Sequence, residues 1–116
     1  ILLVNPGVHQ PTPAVFKALA QKTNPPLPAI PAFPTATSLI AWLKETRNDL
    51  EPPAIHGAPV IAEVLESLSS APLARMSGSG ATCFALFETR EEAEKLANAL
   101  RSARPEWWIA ATRLLP

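Results

Sequence analysis

"LARMSGSGATCFALF", residues 73–87, consists of two short apolar segments separated by a loop of serine, glycine and alanine. The segments at residues 73–76 and 82–87 are each predicted to form a β-strand, because each is a short apolar run bounded by turn-forming residues. Glycine permits backbone conformations that other residues rarely adopt, and it lets a ligand approach the main chain closely. The stretch therefore predicts two neighbouring strands joined by a loop with almost no side-chain bulk.

The remaining apolar patterns place one strand at each end of the chain and helices between the strands. Residues 1–4 and 107–112 are predicted as the two end strands. An apolar stripe after Pro59 predicts one helix, and the capping box Thr89-Arg90-Glu91-Glu92 predicts the start of another. Together these elements predict an α+β fold, in which a mostly antiparallel four-stranded sheet has helices packed on one face.

Local signals also predict the helix boundaries in the first half of the chain. A helix is predicted over residues 12–22, with its threonine as N-cap and Pro13 at the first helical position. Thr37 or Ser38 is predicted to cap the next helix, after which a short turn leads to a stop at the proline pair of residues 52–53.

Residues 24–34 contain five prolines, which can neither continue a helix nor join a central strand. An extended connection is therefore predicted. Lys22 followed by the prolines at 25 and 28 also matches the basic P-x-x-P pattern that proline-binding domains take up as polyproline II. A surface loop stiffened by proline remains the alternative.

Composition limits the classes of protein and partner. The chain of 116 residues is long enough for one domain, and its ten basic and ten acidic side chains cancel, so neither nucleic acid nor a membrane is expected as a partner. Cys83 is the only cysteine, which excludes an internal disulfide and fits a cytoplasmic protein. The start at Ile1, inside an apolar run, is interpreted as a cut from a longer protein.

The glycine loop is the first candidate site. Its backbone N–H groups and three hydroxyls carry almost no side-chain bulk, as a contact with phosphate or another anion requires. A simple hairpin connection is the alternative, since the loop lacks the lysine and the spacing of the common phosphate-binding motifs. The residues concerned are Ser77, Gly78, Ser79, Gly80, Ala81 and Thr82.

Thr12, Pro13 and Phe16 form the second candidate site. An aromatic ring one turn into a helix can stack on a flat ligand, whereas a core position for the phenylalanine and a capping role for the threonine are the alternatives. His9 and His56 have no neighbouring ligand at the spacing of a zinc site. We therefore assign neither a catalytic residue nor a metal site to the chain.

The sequence resembles the carboxy-terminal half of the 4-diphosphocytidyl-2-C-methyl-D-erythritol kinases, a family of the galactokinase, homoserine kinase, mevalonate kinase and phosphomevalonate kinase (GHMP) superfamily. The resemblance covers nearly the whole chain. It implies that residues 1–116 form a ferredoxin-like, substrate-binding GHMP kinase carboxy-terminal domain. The stretches that carry it are "LVNPGVHQPTPAVF" at 3–16, "NDLEPPA" at 48–54, "ARMSGSGATCFALF" at 74–87 and "WWIAATRLLP" at 107–116.

The resemblance also implies a role for each candidate site. Thr12, Pro13 and Phe16 would line the site for 4-diphosphocytidyl-2-C-methyl-D-erythritol, with the phenylalanine against the cytosine ring. The loop at residues 77–82 would lie near the substrate diphosphate and the transferred phosphoryl group. Phosphorylation of the substrate 2-hydroxyl belongs to non-mevalonate isoprenoid biosynthesis.

Part of the family's machinery is missing from the sequence. The catalytic aspartate and lysine of the family, and its glycine-rich ATP loop, belong to an amino-terminal domain. The resemblance therefore implies that the parent protein uses ATP and Mg, that this piece alone holds neither, and that the piece alone is inactive. Asn48-Asp49-Leu50 is interpreted as a helix start, and Asp49 is not assigned as a replacement catalytic aspartate.

Two alternative functions remain open. One is the same domain of another GHMP kinase, acting on homoserine or mevalonate. The other is a free-standing α+β ligand-binding or interaction module, working through the proline segment. A domain cut from its partner is expected to expose an apolar patch and to self-associate.

Overall fold

The computed structural model describes residues 1–115. Within them the chain forms four strands and five helices, numbered here in chain order. The elements are β1 (Leu2–Asn5), α1 (Thr12–Lys17), α2 (Ala36–Leu43), α3 (Glu51–Gly57), α4 (Val60–Ser67), β2 (Leu73–Met76), β3 (Cys83–Leu86), α5 (Arg90–Ala103) and β4 (Trp108–Ala111).

The four strands form one sheet in the order β2-β3-β1-β4, and every neighbouring pair is antiparallel. In the central register Leu2 lies opposite Ala85 and Val4 lies opposite Cys83. The first strand of the chain is therefore an inner strand, as in a ferredoxin-like fold. The predicted α+β class and the predicted strands are confirmed, with β1 shifted by one residue and β4 shorter than predicted by one residue at each end.

One face of the sheet carries the main core. Leu2, Val4, Cys83 and Ala85 are fully buried on this face, because side chains alternate between the two faces of a strand. Helices α4 and α5 cover it with their apolar stripes, which belong to the same buried cluster. The predicted stripe of α4 is confirmed.

The opposite face is covered in part by α2. Ile40 of this helix packs with Leu73 and Leu86, and Ile1 and Phe84 pack against the same small cluster. These sheet residues alternate with the residues of the main core and so point to the other side. The fold class stands, and the structure adds a second, smaller core beneath α2.

The predicted boundaries of α1 are corrected by the structure. Helix α1 has Pro11 as its N-cap residue, and Thr12 and Pro13 occupy its first two positions. It ends at Lys17 rather than at residue 22, since Val15 is its only buried residue and a short helix needs burial to persist. Residues 24–34 contain no helix or strand, as predicted from their prolines.

Two further boundary predictions are wrong. The N-cap of α2 is Thr35, which forms reciprocal hydrogen bonds with Ser38, whereas Thr37 or Ser38 was predicted as the cap. The proline pair 52–53 lies in the first turn of helix α3, which begins at Glu51, whereas these prolines were predicted to end the preceding turn. Proline is compatible with the first turn of a helix, where backbone N–H groups have no partner within the helix.

The remaining signals agree with the structure. Thr89 caps α5 by accepting a hydrogen bond from the Glu92 backbone N–H at 3.3 Å. Trp107 is buried, whereas its neighbour Trp108 is exposed. No helix among residues 1–115 is both long enough and apolar enough to cross a bilayer.

Candidate functional site

The glycine loop is a tight turn closed by its own backbone. The Ser77 N–H donates to the Thr82 carbonyl at 2.8 Å, and the Gly80 N–H donates to the Ser77 carbonyl at 3.0 Å. Gly78 and Gly80 have φ angles of +56° and +89°, in the region that side chains other than hydrogen disfavour. The two glycines are therefore required by the shape of this turn.

The two glycines face different surroundings. A Cβ atom at Gly80 would lie 2.9 Å from the Met76 sulfur and 3.3 Å from Ile61 Cδ1, whereas one at Gly78 would have no atom within 4 Å. Across residues 1–115, the Gly78 and Ser79 N–H groups have no hydrogen-bond acceptor. One side of the loop thus packs on the core, and the other is open to an anion.

Helix α1 meets this loop through two hydroxyls. Thr12 Oγ1 and Ser79 Oγ lie 2.8 Å apart and share a hydrogen bond between residues 67 positions apart in the chain. Thr12 and Phe16 are four residues apart, so they lie on the same face of the helix. The Phe16 ring is half exposed rather than buried in the core. The structure therefore brings the two candidate sites together.

Pro13 and Ala81 complete the set of predicted site residues. Pro13 is exposed at the second position of α1, next to Thr12. Ala81 is buried in the main core, so it anchors the loop and offers no surface to a ligand. The loop hydroxyl nearest the sheet is that of Thr82, which is half-buried.

Asn5 contacts the candidate site in a way that the sequence did not reveal. Its side-chain N–H donates to Thr82 Oγ1 at 3.0 Å, and its side-chain oxygen accepts from the Gly7 N–H at 2.7 Å. In the sequence, the pattern Asn5-Pro6-Gly7 indicates only a turn. The observed contacts fix the segment that leads to α1 against the end of the glycine loop.

Asn48 and Glu51 also contact the loop region and were missed. The Asn48 side-chain N–H group donates to the carbonyls of Met76, at 3.0 Å, and of Gly78, at 2.7 Å. A Glu51 carboxylate oxygen accepts from the Met76 backbone N–H at 3.2 Å. The interpretation of residues 48–50 as a helix start is confirmed, because α3 begins at Glu51.

The titratable groups near the loop do not form a catalytic set. Burial raises the pKa of the Cys83 thiol to about 12, and the Glu51 carboxylate adds to this shift. The thiol is therefore protonated at neutral pH and is a poor nucleophile. Asp49 is paired with Arg47 at 2.7 Å. Nowhere in residues 1–115 do three or more histidine, cysteine or acidic side chains lie close enough together to hold a metal ion.

The surface around the candidate site is open. A groove of about 550 Å³ lies beside the turn that contains Asn48, and another of about 350 Å³ lies near α2. Neither groove includes Thr12, Phe16 or the glycine loop. The loop and α1 thus form one wall of a site, with no enclosing second wall from the described residues.

The fold and the loop together define a class of protein. A family model described as "GHMP kinases C terminal" matches residues 29–106, which is more than half of the chain. The chain belongs to this family. The resemblance found in the sequence is therefore confirmed at the level of the superfamily.

Individual relatives give a more specific match than the family model. The chain is 56% identical to a protein of Dinoroseobacter shibae and 55% identical to one of Paracoccus denitrificans, both named 4-diphosphocytidyl-2-C-methyl-D-erythritol kinase. The matches cover 97% and 100% of this chain but only 41% and 44% of those proteins. The chain thus spans about two fifths of the length of these relatives.

A solved structure matches the chain over nearly its whole length. The crystal structure of a 4-(cytidine 5'-diphospho)-2C-methyl-D-erythritol kinase superimposes with a TM-score of 0.66 at 31% sequence identity. The superposition covers 93% of this chain and 41% of the other. The predicted resemblance to this family of kinases is confirmed over nearly the whole chain.

Proposed function

We propose that the chain is the carboxy-terminal, substrate-binding domain of an ATP-dependent, cytoplasmic kinase that phosphorylates the 2-hydroxyl of 4-diphosphocytidyl-2-C-methyl-D-erythritol in non-mevalonate isoprenoid biosynthesis. The names of the relatives support this substrate. Residues 1–116 supply one domain, and an amino-terminal domain upstream of Ile1 supplies the other.

The observation that carries the proposal is the hydrogen bond between Thr12 and Ser79, at 2.8 Å. It joins a helix face that presents a half-exposed aromatic ring to a loop with open N–H groups. A cytidine diphosphate has these two parts, a flat base and an anion, joined by a short ribose. Phe16 would stack on the cytosine, and residues 77–82 would bind the diphosphate.

ATP and Mg are assigned to the amino-terminal domain. ATP and Mg would supply the phosphoryl group and the charge that neutralises it. The present residues would bind the cytidyl end of the substrate, fix its diphosphate, and so hold its hydroxyl in place for transfer.

Turnover by the protein extended upstream of Ile1 tests the proposal. ADP release is measured with Mg-ATP and, separately, with the cytidyl alcohol, homoserine and mevalonate. Turnover with the cytidyl alcohol alone is expected. Turnover with homoserine or mevalonate instead would agree with a GHMP kinase but contradict the proposed substrate. No turnover with any of the three alcohols would contradict the proposed kinase activity. The 116-residue piece alone is expected to be inactive.

Paired variants of Phe16 test the role of the ring in the same extended protein. Phe16→Leu keeps an apolar side chain but removes the flat ring, and is expected to raise the KM for the cytidyl substrate about tenfold. Phe16→Tyr keeps the ring and is expected to leave KM nearly unchanged. Equal KM values in the two variants would contradict stacking on cytosine.

Contact with the amino-terminal domain is the remaining part of the proposal. Trp108 is 57% exposed and lies on the sheet face opposite the main core. Such a large exposed ring is suited to an interface. Self-association of the isolated domain stays a prediction, which sedimentation of the piece with and without Trp108→Ala would test.

A further inference from the structure

We infer that Asn48 is the positioning residue of the glycine loop, holding the Met76 carbonyl at the end of β2 and the Gly78 carbonyl in the loop to one side so that the Ser79 N–H faces the ligand. The phosphate role of this N–H rests on the proposed function. The placement of Asn48 does not, because it follows from hydrogen bonds that the structure shows directly.

Strand β2 needs side-chain partners at its outer edge. It is an edge strand, and the Ser77 N–H bonds inward to the Thr82 carbonyl of the neighbouring segment. The backbone groups of Met76, one residue earlier, therefore point away from β3. Glu51 accepts from the Met76 N–H, and Asn48 donates to the Met76 carbonyl.

Asn48 reaches one step further than Glu51. The same side-chain N–H group of Asn48 donates to the Gly78 carbonyl at 2.7 Å, inside the loop. Its side-chain oxygen accepts from the Leu50 N–H at 3.1 Å, which fixes the orientation of the amide. Glu51 touches only the strand, whereas Asn48 connects the strand to the loop.

Peptide geometry gives this contact its consequence. In a planar trans peptide the C=O and the following N–H point in opposite directions. Because the Gly78 carbonyl points toward Asn48, the Ser79 N–H in the same peptide points away from it. The peptide between Met76 and Ser77 shows the same geometry, since its Met76 carbonyl faces Asn48 while its Ser77 N–H donates to the Thr82 carbonyl on the other side.

Electrostatics favour the same arrangement. A carbonyl oxygen on the ligand side would repel a phosphate, and an N–H there would attract it. No charged side chain lies within residues 77–82, so the charges that the loop itself presents to a ligand are those of its backbone dipoles. Asn48 sets that direction without touching the ligand, which makes it a positioning residue and not a catalytic one.

Two variants and a matched control test the inference in the extended protein. Asn48→Ala removes the donor. Asn48→Asp keeps the size and the acceptor for the Leu50 N–H but places a carboxylate oxygen against two carbonyls. Thr46→Val is the control, because it removes the hydrogen bond that the Thr46 hydroxyl, in the same turn, accepts from the Arg75 guanidinium of β2, without reaching the loop.

The first measurement is amide hydrogen exchange at Gly80, whose N–H closes the loop on the Ser77 carbonyl. Faster exchange is expected in both Asn48 variants and not in Thr46→Val. This readout needs no ligand and no activity. Exchange that is unchanged in the Asn48 variants, or equally fast in the control, would overturn the positioning role.

The second measurement compares the affinity for CDP with that for cytidine, which has the same base but no diphosphate. We expect the Kd for CDP to rise about tenfold in the Asn48 variants, the size of one well-placed hydrogen bond to an anion, while the Kd for cytidine stays constant. Equal changes for both ligands would reduce Asn48 to a structural role. A wild-type protein that bound cytidine but not CDP would overturn the proposed diphosphate site, whatever the exchange data showed.

Discussion

Replacing Gly80 with alanine should lower the free energy of unfolding of the chain by about 2–5 kcal/mol. Two effects combine at this position. The backbone has φ of +89°, where a side chain costs roughly 1–2 kcal/mol. The added Cβ would also lie 2.9 Å from the sulfur of Met76, a residue that is itself 1% exposed and has little space to move.

Gly78→Ala is the matched comparison. This glycine also has a positive φ, +56°, but an added Cβ would contact nothing within 4 Å. Its replacement should cost only the backbone strain, about 1–2 kcal/mol. The entropy that alanine removes from the unfolded chain is common to both variants and cancels in the difference. The Gly80 variant should therefore be less stable than the Gly78 variant by about 1–3 kcal/mol, the cost of overpacking.

Urea unfolding followed by tryptophan fluorescence measures this difference, since the chain contains three tryptophans. The midpoint should fall in the order wild type, Gly78→Ala, Gly80→Ala, at a constant m-value. A gap between the two variants of less than about 0.5 kcal/mol would refute the reasoning, because contact with Met76 would then have no measurable cost.

Three further predictions concern the core and the helix caps. Trp107→Ala should cost about 3–5 kcal/mol of unfolding free energy because Trp107 is buried, whereas Trp108→Ala should cost less than about 1 kcal/mol, and denaturant midpoints check both. Folded protein should not react with iodoacetamide at pH 8, because burial raises the pKa of Cys83 to about 12. Iodoacetamide labelling tests this statement. The raised pKa also lies above that of the thiol in the unfolded chain, so the unfolded state loses the proton first and the stability of the fold should decline from about pH 9 upward. Thermal melting as a function of pH tests this second statement. Thr89→Ala should lower stability by about 1 kcal/mol through loss of the α5 cap, and Thr89→Ser should restore most of it in thermal melts.

Local patterns predicted the parts of the fold that local forces determine. The strands around the glycine loop follow from their apolar runs, and the start of α5 follows from the four-residue capping box that begins at Thr89. The proline pair 52–53 was misinterpreted, because the same residues can stop a helix or begin one, and the choice depends on what precedes them. Helix α1 was predicted too long, since its sequence does not show that only Val15 finds a place in the core.

The candidate site was predictable in its composition but not in its assembly. The glycine loop and Phe16 were identified, the first from its residues and the second chiefly by resemblance. The contact between Thr12 and Ser79 joins residues 67 positions apart, and the Asn48 contacts span 28 and 30 positions. No local periodicity encodes such pairings, so these roles became visible only in the folded chain.

The inner position of β1 has a consequence for synthesis of the protein on the ribosome. Strand β1 leaves the exit tunnel first, but its partners β3 and β4 begin only at residues 83 and 108. The Ile1 and Thr112 backbones bond to each other in both directions, at 2.9 Å each, so the sheet is complete only after residue 112 has been made. Until β3 has emerged, the apolar residues 1–4 have no partner strand from this sheet, and chaperones or slow translation would reduce their chance of pairing with another nascent chain.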